Sequence, residues 1–453
     1  MPVMRPCTPF AERVPPSRTR ILAMSLPFLL LHPDRTTLAA QGQASVLTLR
    51  ALLDSVQAGH PVAAAAEARV RAARASRITA GAFGNPTLSY QVENTPFPGG
   101  RPLSGIDREA MAMVMLPLEP IVQRGPRARR ADAEVRVAEA TASAARQRVA
   151  LDAARAYYRV ALAEVGVATA RDLSAWLDSV VTYNRARVAE GVTAEADLIR
   201  SGIERDRAVA DAAMQEAERA QARSELASFL GSPSRARIGS LTVTLDDTLF
   251  TLSVPTPGDA NGSSARPEVR AARERLESAS AGVATEQRSI VRQLGATIGA
   301  KQMQGTTSMI AGFSLPLPVF DTNRGEIQRA TAERDAASFE ATNEERMAAA
   351  DLSGAAEAAR LLTESARHLS AGGADGFLAR ADEGRRIALG AYREGAVPLL
   401  HVLDAARAWG DARMTFYRTL YAQHLSVLTL LVAEGRDVVT TLPLQAVPAP
   451  QVR

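Results

Sequence analysis

The sequence predicts a mostly α-helical chain with two β-hairpins, built as two copies of one helix–hairpin–helix unit. The main observation is that the same signals recur in the same order about two hundred residues apart, as in repeat architectures. A second is that aromatic residues make up only 4% of the 453-residue chain, which suits long helices better than one large globular core. A third is that four short segments alternate polar and apolar residues, as half-buried strands do.

Four pairs of signals carry the duplication. His60-Pro61 and Arg266-Pro267 stand before the first helix of each unit, and Leu116-Pro117-Leu118 and Leu315-Pro316-Leu317-Pro318 end the hairpins. Gln123-Arg124-Gly125 and Asn323-Arg324-Gly325 stand before the long helices. Glu190-Gly191-Val192 and Glu394-Gly395-Ala396 stand at the ends of those helices. We therefore divide the chain as follows: an N-terminal segment 1–44, a first repeat 45–231, a linker 232–265, a second repeat 266–437 and a tail 438–453.

The N-terminal segment has the pattern of an export signal. Arg18 and Arg20 precede an apolar stretch at 21–31, and small residues follow at 39–44. The apolar stretch is too short to span a bilayer as a helix, which needs roughly 20 residues. Cys7, the single cysteine, lies ahead of this stretch, so it is not the lipidated cysteine of a lipoprotein signal. A disordered tail is the alternative.

The first repeat contains two short helices, a hairpin at about 86–119, and two long helices within 124–230. In chain order the periodicity predicts helices at 47–56 and 61–79, strands at 87–93 and 110–118 with a Pro- and Gly-rich loop at 95–107, and helices at 127–188 and 194–230. A helix of about sixty residues is on the order of 90 Å long, so it must pack beside other helices of similar length.

The second repeat follows the same order, with a hairpin at about 293–318 and long helices within 324–434. The pattern predicts a helix at 267–291, strands near 294–301 and 309–315 around a turn at 304–307, and helices at 326–393 and 399–434. Gly372-Gly373 and Gly376 interrupt the first of these long helices and are expected to loosen it. The linker is irregular except for a strand-like piece at 241–245.

The strands have the length of tilted transmembrane β-strands. Each has roughly 9–11 residues and one apolar face, as such strands need. Four strands cannot close a barrel, and open edges are not tolerated in lipid. If these strands lie in a membrane, the chain must therefore oligomerise. Three copies would give a closed tube of twelve strands.

At this point the chain resembles the TolC family of outer-membrane efflux ducts. The residues that carry the resemblance cover both repeats: His60-Pro61, Leu116-Pro117-Leu118-Glu119, 315–321, Tyr392-Arg393-Glu394-Gly395 and 401–405. Residues 85–89 with Glu93-Asn94, and Leu118-Glu119 with 124–127, are similar to the heavy-metal branch of the family, which includes CzcC and CusC.

The resemblance implies a homotrimer whose twelve-stranded transmembrane β-barrel lies in the outer membrane and whose long α-helical barrel crosses the periplasm. It implies three kinds of partner: a periplasmic adapter (membrane fusion) protein, an inner-membrane transporter of the RND type, and outer-membrane lipid. Substrate, either metal ions or drugs, passes through and is not transformed. No cofactor and no nucleic acid is implied.

The resemblance also implies where the duct closes. The periplasmic aperture of such ducts lies where the long helices turn, and Asp197, Asp404 and Tyr392 match its acidic residues and its latching tyrosine. His401 stands where the family often has a second aspartate, so pH-dependent closure is a hypothesis. The alternative for both aspartates is that they are surface acids near a helix start, where a carboxylate suits the helix dipole.

The tips of the long helices are expected to contact the adapter. The residues concerned are Arg187, Glu190, Gly191, Val192, Arg393, Glu394, Gly395 and Ala396. The alternative is that each tip is a plain helix end at a glycine. The Glu-Gly pair occurs in both repeats, and this favours docking.

Met111, Met113 and Met115 alternate along one strand. Thioethers bind Cu(I), but methionines in this pattern also suit packing against lipid or a neighbouring strand, which is the simpler interpretation. The five histidines never fall at the i, i+3 or i, i+4 spacing of a helical metal site, so no metal site is predicted.

Two other classes of protein remain as alternatives. A periplasmic coiled-coil scaffold without a pore would explain the helices but not the four strands. An enzyme is not predicted, because the sequence has no Gly-rich phosphate loop and no GxSxG or HExxH motif. A nucleic-acid surface is not predicted either, because no basic run is interleaved with aromatic residues.

Overall fold

The computed structural model describes residues 46–100, 107–230, 242–243, 261–290, 294–372 and 375–441. The elements in chain order are β1 (Val46–Leu47), α1 (Leu49–Gly59), α2 (Pro61–Ala80), β2 (Thr87–Glu93), β3 (Glu109–Pro117), α3 (Pro120–Ala189), α4 (Glu195–Phe229), β4 (Thr242–Val243), α5 (Asn261–Ser264), α6 (Pro267–Arg288), β5 (Gly295–Met303), β6 (Thr306–Ser314), α7 (Arg324–Ser370), α8 (Phe377–Arg393), α9 (Leu399–Ala433) and α10 (Val438–Thr441). The predicted export signal lies outside the described residues.

The longest element is α3, with 70 residues. At 1.5 Å per residue it is about 105 Å long. It begins at Pro120 rather than at 127 as predicted, so Pro126 lies inside it. A proline inside a helix leaves the carbonyl four residues earlier without its helical donor. Here that carbonyl, on Val122, accepts a hydrogen bond from Arg288 at 3.4 Å, which helps to explain why the helix continues through the proline.

The helices pack side by side, with α3 against α2, α4 and α6, and α9 against α7 and α8. No helix in the described ranges has a stretch long and apolar enough to cross a bilayer. The prediction of one helix at 326–393 is wrong, because the chain forms two helices there, α7 and α8. Gly372 has a φ of +99°, and a Cβ at this position would lie 3.2 Å from the backbone of Gly376. Gly372 therefore stands where α7 ends, and the expectation of one long, loosened helix is wrong.

The sheet has four antiparallel strands in the order β2-β3-β5-β6, so the two hairpins lie side by side. The second hairpin turns through Gln304 and Gly305, which both have positive φ, as a two-residue turn of this kind requires. The predicted turn at 304–307 is two residues too long, because Thr306 and Thr307 already pair with β5.

Tight pairing fixes which side chains share a face. Leu88 and Tyr90 lie on the same face as Val114, Ile298 and other apolar residues of all four strands: Ala110, Ala112, Leu116, Ala300, Met309, Ala311 and Phe313. The opposite face has mostly polar or small residues. We call these the apolar face and the polar face of the sheet.

The main hydrophobic core joins the middle of α3 to the ends of α4 and α9 and to α1 and α10. Tyr157 and Tyr158 are its largest buried side chains, and the Tyr157 hydroxyl donates to the Leu47 carbonyl oxygen at 3.0 Å. Three elements were not predicted: β1, α5 and α10. They are two to four residues long, too short for periodicity to show.

Candidate functional site

Both tips of the long helices end in the same backbone motif. Gly191 after α3 and Gly395 after α8 have φ of +70° and +77°. At the first tip, the Val192 and Gly191 amides donate to the carbonyls of Arg187 and Val188 at 2.9 and 3.0 Å. The second tip repeats this pattern at equivalent positions, which is the Schellman arrangement. Glycine is required at both places because its φ is left-handed.

A buried hydrogen-bond network joins three helices near these tips. The Tyr392 hydroxyl of α8 donates to Asn184 Oδ1 of α3 at 2.8 Å, and Asn184 Nδ2 donates to Ser201 Oγ of α4 at 3.2 Å. Asn184 and Ser201 are 0% exposed and Tyr392 is 5% exposed. We call these three residues the tip network. Because all three polar groups are shielded from water, their hydrogen bonds must come from the protein, and the Ser201 hydroxyl also donates to the Leu198 carbonyl oxygen at 3.0 Å.

Sequence reasoning identified Tyr392 but missed Asn184 and Ser201. A usable signal existed for Asn184. It follows Leu177 and Val180 at seven and four residues, and this spacing puts it on the buried stripe of α3. A polar residue on an apolar stripe usually has a specific partner.

Tyr183 makes a second link between α3 and the end of α8. Its hydroxyl donates to the Arg393 carbonyl oxygen at 3.3 Å and accepts a hydrogen bond from Arg187 at 3.1 Å. The guanidinium carbons of Arg187 and Arg393 lie 5.6 and 5.8 Å from the centre of its ring, within the range of cation–π attraction. The Tyr183 and Tyr392 rings pack edge to face at 5.9 Å.

The surroundings of Tyr392 keep its hydroxyl protonated. Burial raises the pKa of Tyr392, and the negative charge of Asp197 raises it further against the opposing charge of Arg187. Asp197, also named from the sequence, is thus near enough for its charge to act on the Tyr392 hydroxyl. A protonated hydroxyl is the form that can donate to Asn184.

Asp404 and His401 are exposed on the first turns of α9. Asp404 belongs to a charged cluster: Arg407 lies 3.9 Å from it and 2.7 Å from Glu204 of α4, which also binds Arg207 at 2.9 Å. The cluster joins α9 to α4, and Glu204 was not identified from the sequence. The aperture role of Asp404 and His401 stays a prediction.

The remaining tip residues are mostly exposed. Glu190, Val192 and Glu394 are open to solvent, as are both tip glycines, Arg393 and Ala396, whereas Arg187 is partly covered by Tyr183. The backbone hydrogen bonds of the two turns are thus sufficient to explain both tips as plain helix ends. Docking of an adapter there stays a prediction.

Both tryptophans of the chain lie around one arginine above the tips. The Arg385 guanidinium carbon of α8 is 4.0 Å from the ring centre of Trp409 of α9 and 5.7 Å from that of Trp176 of α3. The Trp409 indole donates to Asp382, and Arg413 lies 5.5 Å from the Trp409 ring centre. This arginine–tryptophan cluster joins the same helices as the tip network, α3 and α8, and adds α9.

The sheet places the three methionines of β3 on its polar face. Met111, Met113 and Met115 pair with Gln91, Ser89 and Thr87 of β2. They therefore do not share the face of Leu88 and Tyr90, which are 74% and 68% exposed. Packing of these methionines against lipid or a neighbouring strand stays a prediction.

No family model and no curated protein matches this sequence. Solved structures do match its fold. CusC, described as forming a transmembrane channel, is 17% identical with a TM-score of 0.72 over 86% of this chain and 92% of its own. The outer membrane protein VceC of Vibrio cholerae is 18% identical with a TM-score of 0.70 over 86% and 96%. The open state of the Neisseria gonorrhoeae MtrE outer membrane channel is 19% identical with a TM-score of 0.67 over 86% and 89%.

These likenesses define the class of fold. The chain has the fold of TolC-type outer-membrane channels: mostly α-helical, with the small antiparallel sheet that forms the β-barrel in that class. The solved structures it resembles are channels rather than enzymes.

Proposed function

We propose that the protein is an outer-membrane duct of a tripartite export system. In this proposal it is a homotrimer that conducts substrate passively from a periplasmic adapter and an inner-membrane pump of the RND type to the outside. The observation that carries the proposal is the sheet, which has one exposed apolar face and two outer strands that lack a second partner among the described residues.

The geometry of the sheet supports closure by copies of the same chain. Its outer strands, β2 and β6, run in opposite directions, because all three neighbouring pairs are antiparallel. The β6 strand of one copy can therefore pair antiparallel with β2 of the next. Three copies give twelve strands without a free edge, which satisfies the backbone hydrogen bonds that lipid cannot.

The long helices also present apolar side chains that the single chain leaves uncovered. On α4, Ile199, Ile203 and Met214 are 58%, 50% and 61% exposed, and on α7 Phe339 is 75% exposed. Exposed apolar residues along the helices are typical of surfaces buried by another protein subunit. They support a tube of packed helices below the barrel, and they do not fit an isolated soluble chain.

The tips support docking of an adapter in a weaker way. The exposed Glu190 and Glu394 stand at the same place in two equivalent turns, beside Val192 and Ala396. A trimer would present six such turns in a ring. An adapter with hairpins that fit one turn could then bind at all six.

A matched pair of substitutions tests which face of the sheet contacts lipid. Ala311 lies on the apolar face of β6, and its neighbour Gly312 lies on the polar face with open space beside it. An arginine facing lipid near the bilayer midplane costs about 2–4 kcal/mol, whereas one in the lumen is tolerated. We expect Ala311→Arg to abolish insertion of the heat-resistant oligomer into membranes and Gly312→Arg to insert and conduct.

The same preparation decides between the duct and the scaffold. A duct requires detergent for extraction and gives discrete single-channel conductance in planar bilayers. A water-soluble parent protein without conductance, or equal insertion of both arginine variants, would overturn the proposal and favour the pore-less scaffold.

A further inference from the structure

Four methionines share the polar face of the sheet. Met111, Met113 and Met115 follow one another along β3, and Met303 of β5 lies on the same face opposite Glu109. In a membrane barrel whose apolar face contacts lipid, the opposite face lines the lumen. These thioethers would therefore meet passing solutes. This step rests on the proposed duct function.

Glycines of β5 leave room for two of these methionines. Gly299 pairs with Met113, and a Cβ at Gly299 would lie 2.3 Å from the Ala112 carbonyl oxygen and 2.8 Å from Met113 Cγ. A Cβ at Gly295 would lie 3.7 Å from Met115 Cγ. The side chains of Met113 and Met115 thus extend over backbone that carries no side chain. Met115 is 49% exposed, and Met113 is partly exposed.

Charge separates the methionines into two groups. Met111 lies opposite Lys301, whose ammonium pairs with Glu109, so an ion pair stands beside it. Met113 and Met115 have only uncharged cross-strand neighbours: Ser89, Gly299, Thr87 and Thr297. A cation at Met113 and Met115 would therefore meet thioethers without a charged cross-strand neighbour, whereas Met111 lies beside the Lys301–Glu109 ion pair.

The spacing suits chelation by two thioethers. Residues two apart on a strand have Cα atoms about 7 Å apart on the same face. Methionine has three rotatable side-chain bonds and a polarizable sulfur, so two Sδ atoms can converge on one ion. Thioethers select soft monovalent ions such as Cu(I) over Mg²⁺ or Ca²⁺, which prefer oxygen.

We propose that Met113 and Met115 form a binding site for a soft monovalent cation, Cu(I) or Ag(I), on the lumen wall of the barrel. Met111 is the next thioether along the same strand and would extend the site into a short track. The substrate class that follows for the duct is soft metal ions.

Silver binding tests the site directly. The full chain carries Cys7→Ser in every variant, because a thiolate would bind silver more tightly than a thioether. Detergent-purified protein is dialysed against silver nitrate in chloride-free buffer, and bound silver is counted by elemental mass spectrometry. The test variant is Met113→Leu with Met115→Leu. The control is Met309→Leu, which changes a methionine on the apolar face that is 76% exposed. Methionine-to-leucine exchange preserves volume, so both proteins are expected to fold.

We expect the double variant to bind silver at least about tenfold more weakly than the parent, equivalent to about 1.4 kcal/mol. The Met309→Leu control should bind like the parent. Parent-like affinity in the double variant, or the same loss in the control, would overturn the proposal.

A second measurement uses the parent sequence alone. Peroxide converts exposed methionines to sulfoxides, which peptide mass spectrometry locates. Bound silver should slow oxidation of Met113 and Met115 and leave Met309 unchanged; equal rates with and without silver would contradict the site.

Planar-bilayer conductance is recorded separately in nitrate electrolyte. A conducting parent without silver protection refutes the site only, whereas a parent without conductance refutes the duct itself.

Discussion

Replacing Tyr392 with phenylalanine removes the hydroxyl that links α8 to α3 in the tip network and keeps the ring that packs on Tyr183. The hydroxyl is 2.8 Å from Asn184 Oδ1, and Asn184 is fully buried. Without its donor, that carbonyl oxygen loses a hydrogen bond in a place that water does not reach. Such an unsatisfied buried group costs about 1–3 kcal/mol.

If opening separates α8 from α3, Asn184 can bind water in the open arrangement. The lost hydrogen bond then destabilises only the closed arrangement. A free-energy difference of about 1–3 kcal/mol changes an equilibrium by about 5- to 150-fold. We therefore expect Tyr392→Phe to raise the open probability of single channels in planar bilayers within that range, at unchanged folding of the oligomer.

Tyr417→Phe makes the same chemical change on α9, where the hydroxyl has no hydrogen bond to another described residue, and it should behave like the parent. Equal open probability in Tyr392→Phe, Tyr417→Phe and the parent would show that the tip network does not hold the duct closed. A rise in both variants would point to a general loosening and would refute the specific link as well.

Three further predictions concern the tips and the arginine–tryptophan cluster above them. The pKa of Tyr392 is raised above its unfolded value of about 10, so the contribution of its hydroxyl to closure is fully present below pH 10 and is lost as the pH rises through the folded pKa. The open probability of the parent should therefore rise above about pH 10. The same pH profile in Tyr392→Phe would contradict this. Arg385→Met removes a cation–π contact of about 0.5–2 kcal/mol with Trp409, so tryptophan emission should shift to the red and thermal stability should fall, whereas an unshifted spectrum would show that the contact does not form. Asp197→Ala with Asp404→Ala should increase conductance by loosening the aperture, and parent conductance would count against the aperture assignment.

Long elements could be predicted from the sequence because they repeat a signal many times. The strand 87–93 matches β2, the helix at 194–230 differs from α4 by one residue at each end, and the helix at 399–434 differs from α9 by one residue at its C-terminal end. Each has many turns or alternations that point to the same structure. The start of α3 was missed because Pro126 reads locally as a boundary, and only the distant Arg288 supplies a donor for the freed carbonyl.

The faces of the sheet show a second limit. Alternation along β3 separates two sets of residues but does not say which side chains of other strands share a face with each set. Pairing shows this: the polar residues of β2, and Thr297 and Lys301 of β5, fall on the methionine side. A single strand with methionines on one face and Ala110, Ala112 and Val114 on the other is ambiguous. The register of β3 with its two neighbouring strands shows which residues share each face.

The tip network lies where the two repeats have diverged. Counted from the tip glycines, the positions in the other repeat that correspond to Asn184, Ser201 and Tyr392 are all apolar: Ala388, Ala405 and Val188. The duplicated turns themselves are equivalent in backbone and hydrogen bonds. Duplication therefore provides the scaffold of the tips, and substitution on only one side of each pair provides the link.

This asymmetry has a mechanical consequence. If both repeats carried the same three polar residues, each chain would form two such networks, and all four tip helices would be tied together. With one network, Tyr392 is the only side chain of α8 in it, and α9 contributes none. Other polar links between the two helix pairs include the Tyr183–Arg393 hydrogen bond and the Arg407–Glu204 ion pair, both of which reach solvent-exposed groups. One helix pair can then move away from the other by breaking one buried hydrogen bond rather than two, together with exposed links of this kind. Each chain of the proposed trimer would open by releasing α8 and α9 from α3 and α4.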